Sequence, residues 1–329
     1  MVTGSGEGNG SGPNAPPSRR RRRVPRLAVV LGLTWLVVPL VLFLLARGTL
    51  LAGHPAHLVA LAVAGLVGVV LLVLARGHDD DHPTHRRRWG IVLGRLAGVL
   101  VSAVVLGGLV WLQPFPATAA AASAMAGEPD VRVVDVPSGI VLSPRDQTPT
   151  RALVFQPGAR VDPRAYVPIL TEVSRAGYLV VVVKQPFEIA LLATGAPGNV
   201  MARHPEVTRW AVGGHSLGGV AAADYAASDP ARVNGLVLWA SYPVGSLADR
   251  ADLAVASVSG SRDGFTTPDD VAASRALLPA STAFTVVDGA VHSSFGDYGT
   301  QPGDGTPTVD HETAQRQIVA ATVALLARM

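Results

Sequence analysis

Leu27 to Ala46 is a run of 20 residues without a charge. As a helix it extends about 30 Å, the thickness of a bilayer core. Similar runs follow at Leu58–Ala75 and Ile91–Leu112. A segment that is apolar on every side has no face to give to water, which disfavours a soluble helical bundle. The third run contains Arg95, which at mid-bilayer would cost roughly 2.5–3.5 kcal/mol. It lies near the start of the run, where its side chain can snorkel to the interface. Trp89 and Trp111 bracket the same run as an aromatic belt would. Residues 27–112 are therefore expected to form three transmembrane helices, at about 27–46, 58–75 and 91–112. A cleaved signal peptide fits the first run poorly, because two more spans follow it.

Arginine placement sets an expected orientation. The polar, basic tail of residues 1–26 is expected to be disordered, and it carries Arg19 to Arg23 and Arg26. The first loop has Arg47 alone, whereas the second has Arg76 and Arg86 to Arg88. The basic sides are expected to be cytoplasmic, so everything after Leu112 is expected outside the cytoplasmic membrane. Residues 113–130, with Pro114, Pro116 and an alanine-rich stretch, are expected to be a linker that lifts a domain off the bilayer. Ala122-Ser123-Ala124 and Ala124-Met125-Ala126 also resemble a signal-peptidase site, which keeps release of the domain open.

The charge balance differs between the two halves. Residues 1–130 carry 12 Arg against 6 acids, while residues 131–329 carry 14 Arg and one Lys against 18 acids. The basic pI of about 9.7 thus belongs to the membrane half, and the C-terminal half offers no basic face for nucleic acid. The sequence has no cysteine. That excludes disulfides, thiolate catalysis and Cys-ligated metal.

From Val131 the pattern changes to short β-branched runs alternating with helical stretches. Strands are expected at Val131–Val136, Ile140–Leu142, Ala152–Gln156, Tyr178–Lys184, Arg209–Gly213, Gly235–Ala240, Leu253–Ser257 and Ala283–Val287. Helices are expected at Pro163–Ala176, Leu217–Ser228, Pro268–Leu278 and Val309–Leu326. A strand such as Leu179–Val183 is apolar throughout, so it must be buried on both faces. The fold class is α/β, a mainly parallel sheet with helices on both faces. In such sheets the ligand site lies at the carboxyl ends of the strands.

Gly214-His215-Ser216-Leu217-Gly218 follows one of these strands and opens a helix. This is the spelling of a nucleophile elbow, in which a serine on a strained turn holds its hydroxyl above the sheet and the flanking glycines leave room for neighbouring chains. Asp263 and His292 follow two later strands, so Ser, Asp and His arrive in the order expected of a triad. His292 is then the base for Ser216, and Asp263 orients its imidazole. Asp288 and His311 are rivals, one on a strand end and the other at a helix start. His215, the variable position of the elbow, is expected to pack rather than to move protons. The Leu217 N–H is one expected oxyanion donor. The second comes from Pro157–Arg160, with Ala159 first and Arg160 next. Asp162-Pro163 is expected to cap the following helix.

With these residues, 131–329 resembles the alpha/beta-hydrolase superfamily, and within it the dienelactone-hydrolase-like group of bacterial hydrolases. The resemblance is carried by Pro157–Tyr166, Val183–Pro186, Gly213–Gly219, Ala240–Pro243, Gly260–Gly264 and His292–Gly299. Group members often have Gly-Gly-Asn-His where this chain has Gly289-Ala-Val-His292, and the histidine is kept. The resemblance implies a serine hydrolase without naming a substrate.

Lys184, Arg160 and Tyr298 are candidates for substrate contact. Lys184, the only lysine, either meets a substrate carboxylate or phosphate or pairs with Glu188. Arg160 either does the same or lies solvated on the surface. Only 22 positions separate Ser241 from Asp263, so no lid domain is inserted. This favours small or exposed esters, or a substrate delivered by the membrane surface. The expected protein is a membrane-anchored serine hydrolase, with esters the leading substrate class and thioesters or amides still open. It acts on a small ester or acyl substrate, contacts the lipid bilayer and uses no cofactor or metal. The alternative is a catalytically silent envelope protein that binds a partner on the same scaffold.

Overall fold

The computed structural model describes residues 26–76 and 85–329. The tail expected at residues 1–26 therefore falls outside the described residues except for Arg26, as do the side chains of Arg86 to Arg88. Three long helices come first: α1 (Arg26–Ala52), α2 (Ala56–Arg76) and α3 (His85–Trp111). All three are long and apolar enough to cross a membrane. Each extends beyond its expected span at one end or both, α3 only at its start since it stops at Trp111, because polar or charged ends continue a helix that the apolar count stops short of. Ala46 (φ −118°) kinks α1 where the first expected span ends. Trp35, Leu42, Leu61, Ala64, Leu106 and Leu109 pack the helices together, and the Trp35 indole donates to Ser102 Oγ at 2.9 Å. Most other large apolar side chains face outward, Leu45 at 81% exposure among them. Lipid can accept such a surface where water would not.

Residues 113–130 are not a free linker. Phe115 forms a parallel bridge with Val161, α4 (Ala119–Ser123) is capped by the Thr118 hydroxyl, and Ala121 is fully buried. Ala124 and Met125 rest on the main core. The alanines that suggested a flexible spacer are small enough to dock closely. The two Ala-x-Ala sequences sit in this packed segment, a poor setting for proteolysis.

The C-terminal domain is one eight-stranded sheet in the order β1-β2-β4-β3-β5-β6-β7-β8. Its strands are β1 (Val131–Val136), β2 (Gly139–Pro144), β3 (Arg151–Gln156), β4 (Leu179–Val183), β5 (Arg209–His215), β6 (Val233–Trp239), β7 (Ala254–Gly260) and β8 (Ala283–Val287). β2 runs antiparallel to both β1 and β4, and the strands from β4 to β8 are parallel. Alternate residues of β3 enter opposite cores, Leu153 and Phe155 on one face and Ala152 and Val154 on the other. This is why the central strands have no polar alternation. α5 (Val167–Arg175) and α9 (His311–Arg328) cover the first face, while α6 (Ala196–Met201) and α7 (Leu217–Ser228) cover the second.

Several boundaries differ from expectation. Residues 163–166 form a 3-10 turn before α5. α8 (Pro268–Ser274) likewise ends in a 3-10 turn at Arg275–Leu277. A helix was expected at Glu188 without bounds, and residues 186–201 instead form three short pieces, since proline and glycine break any apolar period there.

Candidate active site

β5 delivers Ser216 to the carboxyl end of the sheet with φ 53° and ψ −125°, a conformation that residues with a side chain rarely adopt. The turn is held from both sides. The Ser216 N–H donates to the Trp239 carbonyl at 2.9 Å, and the Ser216 carbonyl accepts from Ser241 Oγ at 2.7 Å. A β-carbon on Gly214 would collide with the Gly218 backbone, and one on Gly218 with the Gln156 carbonyl. The two glycines thus allow the strand, helix and neighbouring loop to converge on the serine.

The loops after β7 and β8 bring Asp263 and His292 together. His292 Nδ1 lies 2.9 Å from Asp263 Oδ2 and 3.1 Å from Oδ1, and both residues are buried. Asp263 Oδ1 also accepts the N–H groups of Phe265 and Thr266, each at 2.8 Å. A carboxylate held this way fixes the ring so that Nε2 is the nitrogen left for other chemistry. The imidazole of His215, next in sequence to Ser216, lies 4.4 Å from that of His292 between ring centroids. Among the described residues no hydrogen bond joins Ser216 Oγ to His292, a contact commonly loose before substrate binds. Asp288 instead accepts from Ser261 Oγ, and His311 contacts Asp297.

The backbone N–H groups expected to form an oxyanion hole differ in their partners. The Gly158 N–H donates to the Tyr166 hydroxyl at 2.9 Å, and the Arg160 N–H donates to the Glu188 carbonyl at 2.8 Å. This removes Arg160, the second choice, as a donor. Among the described residues the N–H groups of Ala159 and Leu217 donate to no protein acceptor, which leaves both for a ligand.

The three residues expected to contact substrate are engaged elsewhere. The Lys184 ammonium pairs with Asp135 of β1 rather than with Glu188, since the β1–β2 edge lies beside the end of β4. Arg160, in a left-handed conformation (φ 61°), donates to the Gln113 carbonyl at 3.1 and 3.3 Å. Its guanidinium lies over the rings of Trp111 and Phe115, at 4.8 and 5.0 Å. Tyr298 is buried at 5% exposure and donates to Gln301, with its ring beside Phe115 and His215. These contacts make Tyr298 a packing residue.

Two positioning groups escape the sequence reading. Asp304 accepts the His292 N–H at 3.0 Å and the Ser293 N–H at 2.8 Å, and it also accepts from Gly264 and Gly305. It thereby joins the Asp263 loop to the His292 loop. Burial alone would raise its carboxyl pKa, but these four backbone donors hold it below the ordinary range. Its sequence signal is only a turn-like Gly303-Asp-Gly305. If His292 is the base, Asp304→Ala is expected to lower kcat roughly 100-fold by letting its ring drift, as steady-state assays would show. An unchanged kcat would count against this role.

Tyr166 is the second. Its hydroxyl accepts from Gly158 and lies 2.9 Å from His215 Nδ1. Burial, with the nearby His292 adding to it, pushes the His215 pKa well below its ordinary value. The neutral ring then accepts from Tyr166, linking the elbow to the Pro157–Arg160 loop. Tyr166→Phe leaves a buried N–H and a buried ring nitrogen unpaired. It should destabilise the domain by about 1–3 kcal/mol in urea titrations, and a change within about 0.5 kcal/mol would refute the link.

Glu188, at 2% exposure and φ 52°, fixes the same loop through its carbonyl. Burial, followed by the Asp162 charge, pushes its carboxyl up to about 8. Between the ordinary carboxylate range and that value the folded form keeps a proton the unfolded chain has released. Stability is therefore full at low pH, falls as pH rises through this window, and is level above it. Glu188→Gln, which mimics the protonated form, is expected to raise Tm by roughly 5–10 °C at pH 8.5 and hardly at all at pH 5. A gain equal at both pH values would contradict the assignment.

No curated protein sequence matches the chain. A family model for the alpha/beta hydrolase family matches residues 152–317, which spans β3 through the first turns of α9 and includes Ser216, Asp263 and His292. With the elbow geometry and the mostly parallel sheet, this match places the chain in the alpha/beta hydrolase family.

Proposed function

We propose that this protein is a membrane-anchored serine hydrolase that cleaves carboxylic esters through an acyl-enzyme. The reading rests on one observation above all: a serine at positive φ on the elbow, whose neighbour His215 packs against a buried histidine held by a buried aspartate. Ser216 Oγ attacks the ester carbonyl while His292 Nε2 takes its proton. The Leu217 and Ala159 N–H groups donate to the developing oxyanion, and Asp263 steadies the imidazolium. Collapse breaks the carbonyl–alkoxy bond, and His292 returns its proton to the leaving alcohol. Water, deprotonated by His292, then releases the acid and restores Ser216.

In this reading residues 27–112 anchor the protein, residues 131–329 catalyse, and the catalytic domain lies outside the cytoplasmic membrane. An ester panel assayed on the full-length protein in detergent, with Ser216→Ala as control, tests the chemistry. Turnover lost in the variant supports it; a folded protein that turns over no ester, thioester or amide would point to the non-catalytic alternative. A reporter fused after Met329 that is active only in the cytoplasm would refute the orientation.

A further inference from the structure

The loops flanking the nucleophile are docked on the ends of the apolar helices. β3 neighbours β5, and β4 neighbours β3. The loop after β3 is bound by the segment leaving α3. The Phe115 N–H donates to the Arg160 carbonyl, the Asp162 N–H donates to the Phe115 carbonyl, and Arg160 lies over Trp111. The loop after β4 meets the turn between α1 and α2. Glu188 sits so close to Gly53 that a β-carbon there would strike its carboxyl, and the Phe187 ring lies 5.1 Å from that of His57. His57 Nε2 in turn contacts the Leu112 carbonyl at 3.0 Å, so the ends of α1, α2 and α3 gather at this one level. If these helices span a bilayer, its outer surface begins where the catalytic loops do.

The distribution of exposed apolar side chains agrees. Among the described residues, the large apolar side chains that the C-terminal domain exposes are Val134, Leu191, Leu192, Val244, Phe265 and Val286. Val134 and Val286 lie on the edge strands β1 and β8. The other four follow β4, β6 and β7, all at the carboxyl end of the sheet, and the Phe265 ring is 5.2 Å from that of His292. The opposite end exposes Thr150, Arg209, Arg232 and Asp252. Apolar side chains exposed around a catalytic mouth that already adjoins the ends of three apolar helices suit a mouth that rests on lipid.

We infer that the catalytic mouth rests on the outer leaflet and that the substrate is an amphiphilic long-chain ester taken directly from it. The bilayer surface then covers a site that has no inserted lid. This inference rests on the serine-hydrolase reading above, and its test separates the two.

The full-length protein is reconstituted in phosphatidylcholine vesicles. Because the chain has no cysteine, Leu192→Cys and Asp252→Cys each carry one environment-sensitive thiol fluorophore, read against spin-labelled lipid. Quenching at least twofold stronger at position 192 than at 252 is expected; equal quenching overturns the inference. In parallel, turnover of 4-methylumbelliferyl palmitate held in the vesicles is compared with that of soluble 4-methylumbelliferyl acetate. The double variant Leu191→Ser/Leu192→Ser is expected to lower the palmitate-to-acetate ratio at least tenfold. Turnover of acetate alone by the parent protein, or a ratio unmoved by the double variant, overturns the inference and leaves the hydrolase reading standing. No turnover of either ester, together with no fluorophosphonate labelling of Ser216, overturns both.

Discussion

Ser216→Ala is expected to lower ester turnover by at least 10⁴-fold while leaving the fold intact. Without Oγ there is no acyl-enzyme, and only binding and oxyanion donors remain. In serine hydrolases these leave about 10³–10⁴-fold over water, with roughly 10⁶-fold lost on removing the nucleophile. Alanine should also relieve little backbone strain, because its β-carbon meets the same restriction at φ 53°. The variant should therefore melt near the parent. A Tm within a few degrees, combined with lost turnover, separates a chemical role from a structural one. Residual activity above about 1% would mean that another nucleophile acts.

Asp263→Asn is the second large effect, expected at about 10⁴-fold in kcat with the overall geometry preserved. The carboxylate accepts from His292 Nδ1 and from two backbone N–H groups. An amide in its place offers an NH₂ where an acceptor is needed, and it favours the tautomer that puts the proton on Nε2. A ring protonated there cannot take the Ser216 proton. A carboxyl that acts only through the His292 ring should change kcat far more than KM. Steady-state kinetics at several pH values would check the split; a loss confined to KM would contradict the orienting role.

The helices, the sheet and the elbow were all legible because each is written locally. Uninterrupted apolarity marks α1 to α3 and β4, and glycine at 214 and 218 marks the close approach that Ser216 requires. Asp263 and His292 were legible through their order after strands, and their contact agrees with it. What the sequence did not reveal is nonlocal. Asp304 is an acid in a turn until folding sets four backbone donors around it. Lys184 had a substrate anion or Glu188 in view, and the partner it takes is neither but Asp135 on β1, reached only through sheet order. Arg160 was read as a surface or substrate residue because nothing in the chain foretells that residues 113–117 return to cover it. The same return turns an expected spacer into a brace, so the domain sits directly on the apolar helices.

The central claim is that Ser216 is the nucleophile. The most direct measurement exposes the full-length protein to a fluorophosphonate and maps the adduct by peptide mass spectrometry. A single stoichiometric adduct on Ser216, lost in His292→Ala as well as in Ser216→Ala, is the predicted result. A folded protein that stays unlabelled, or an adduct on any other residue, would contradict it.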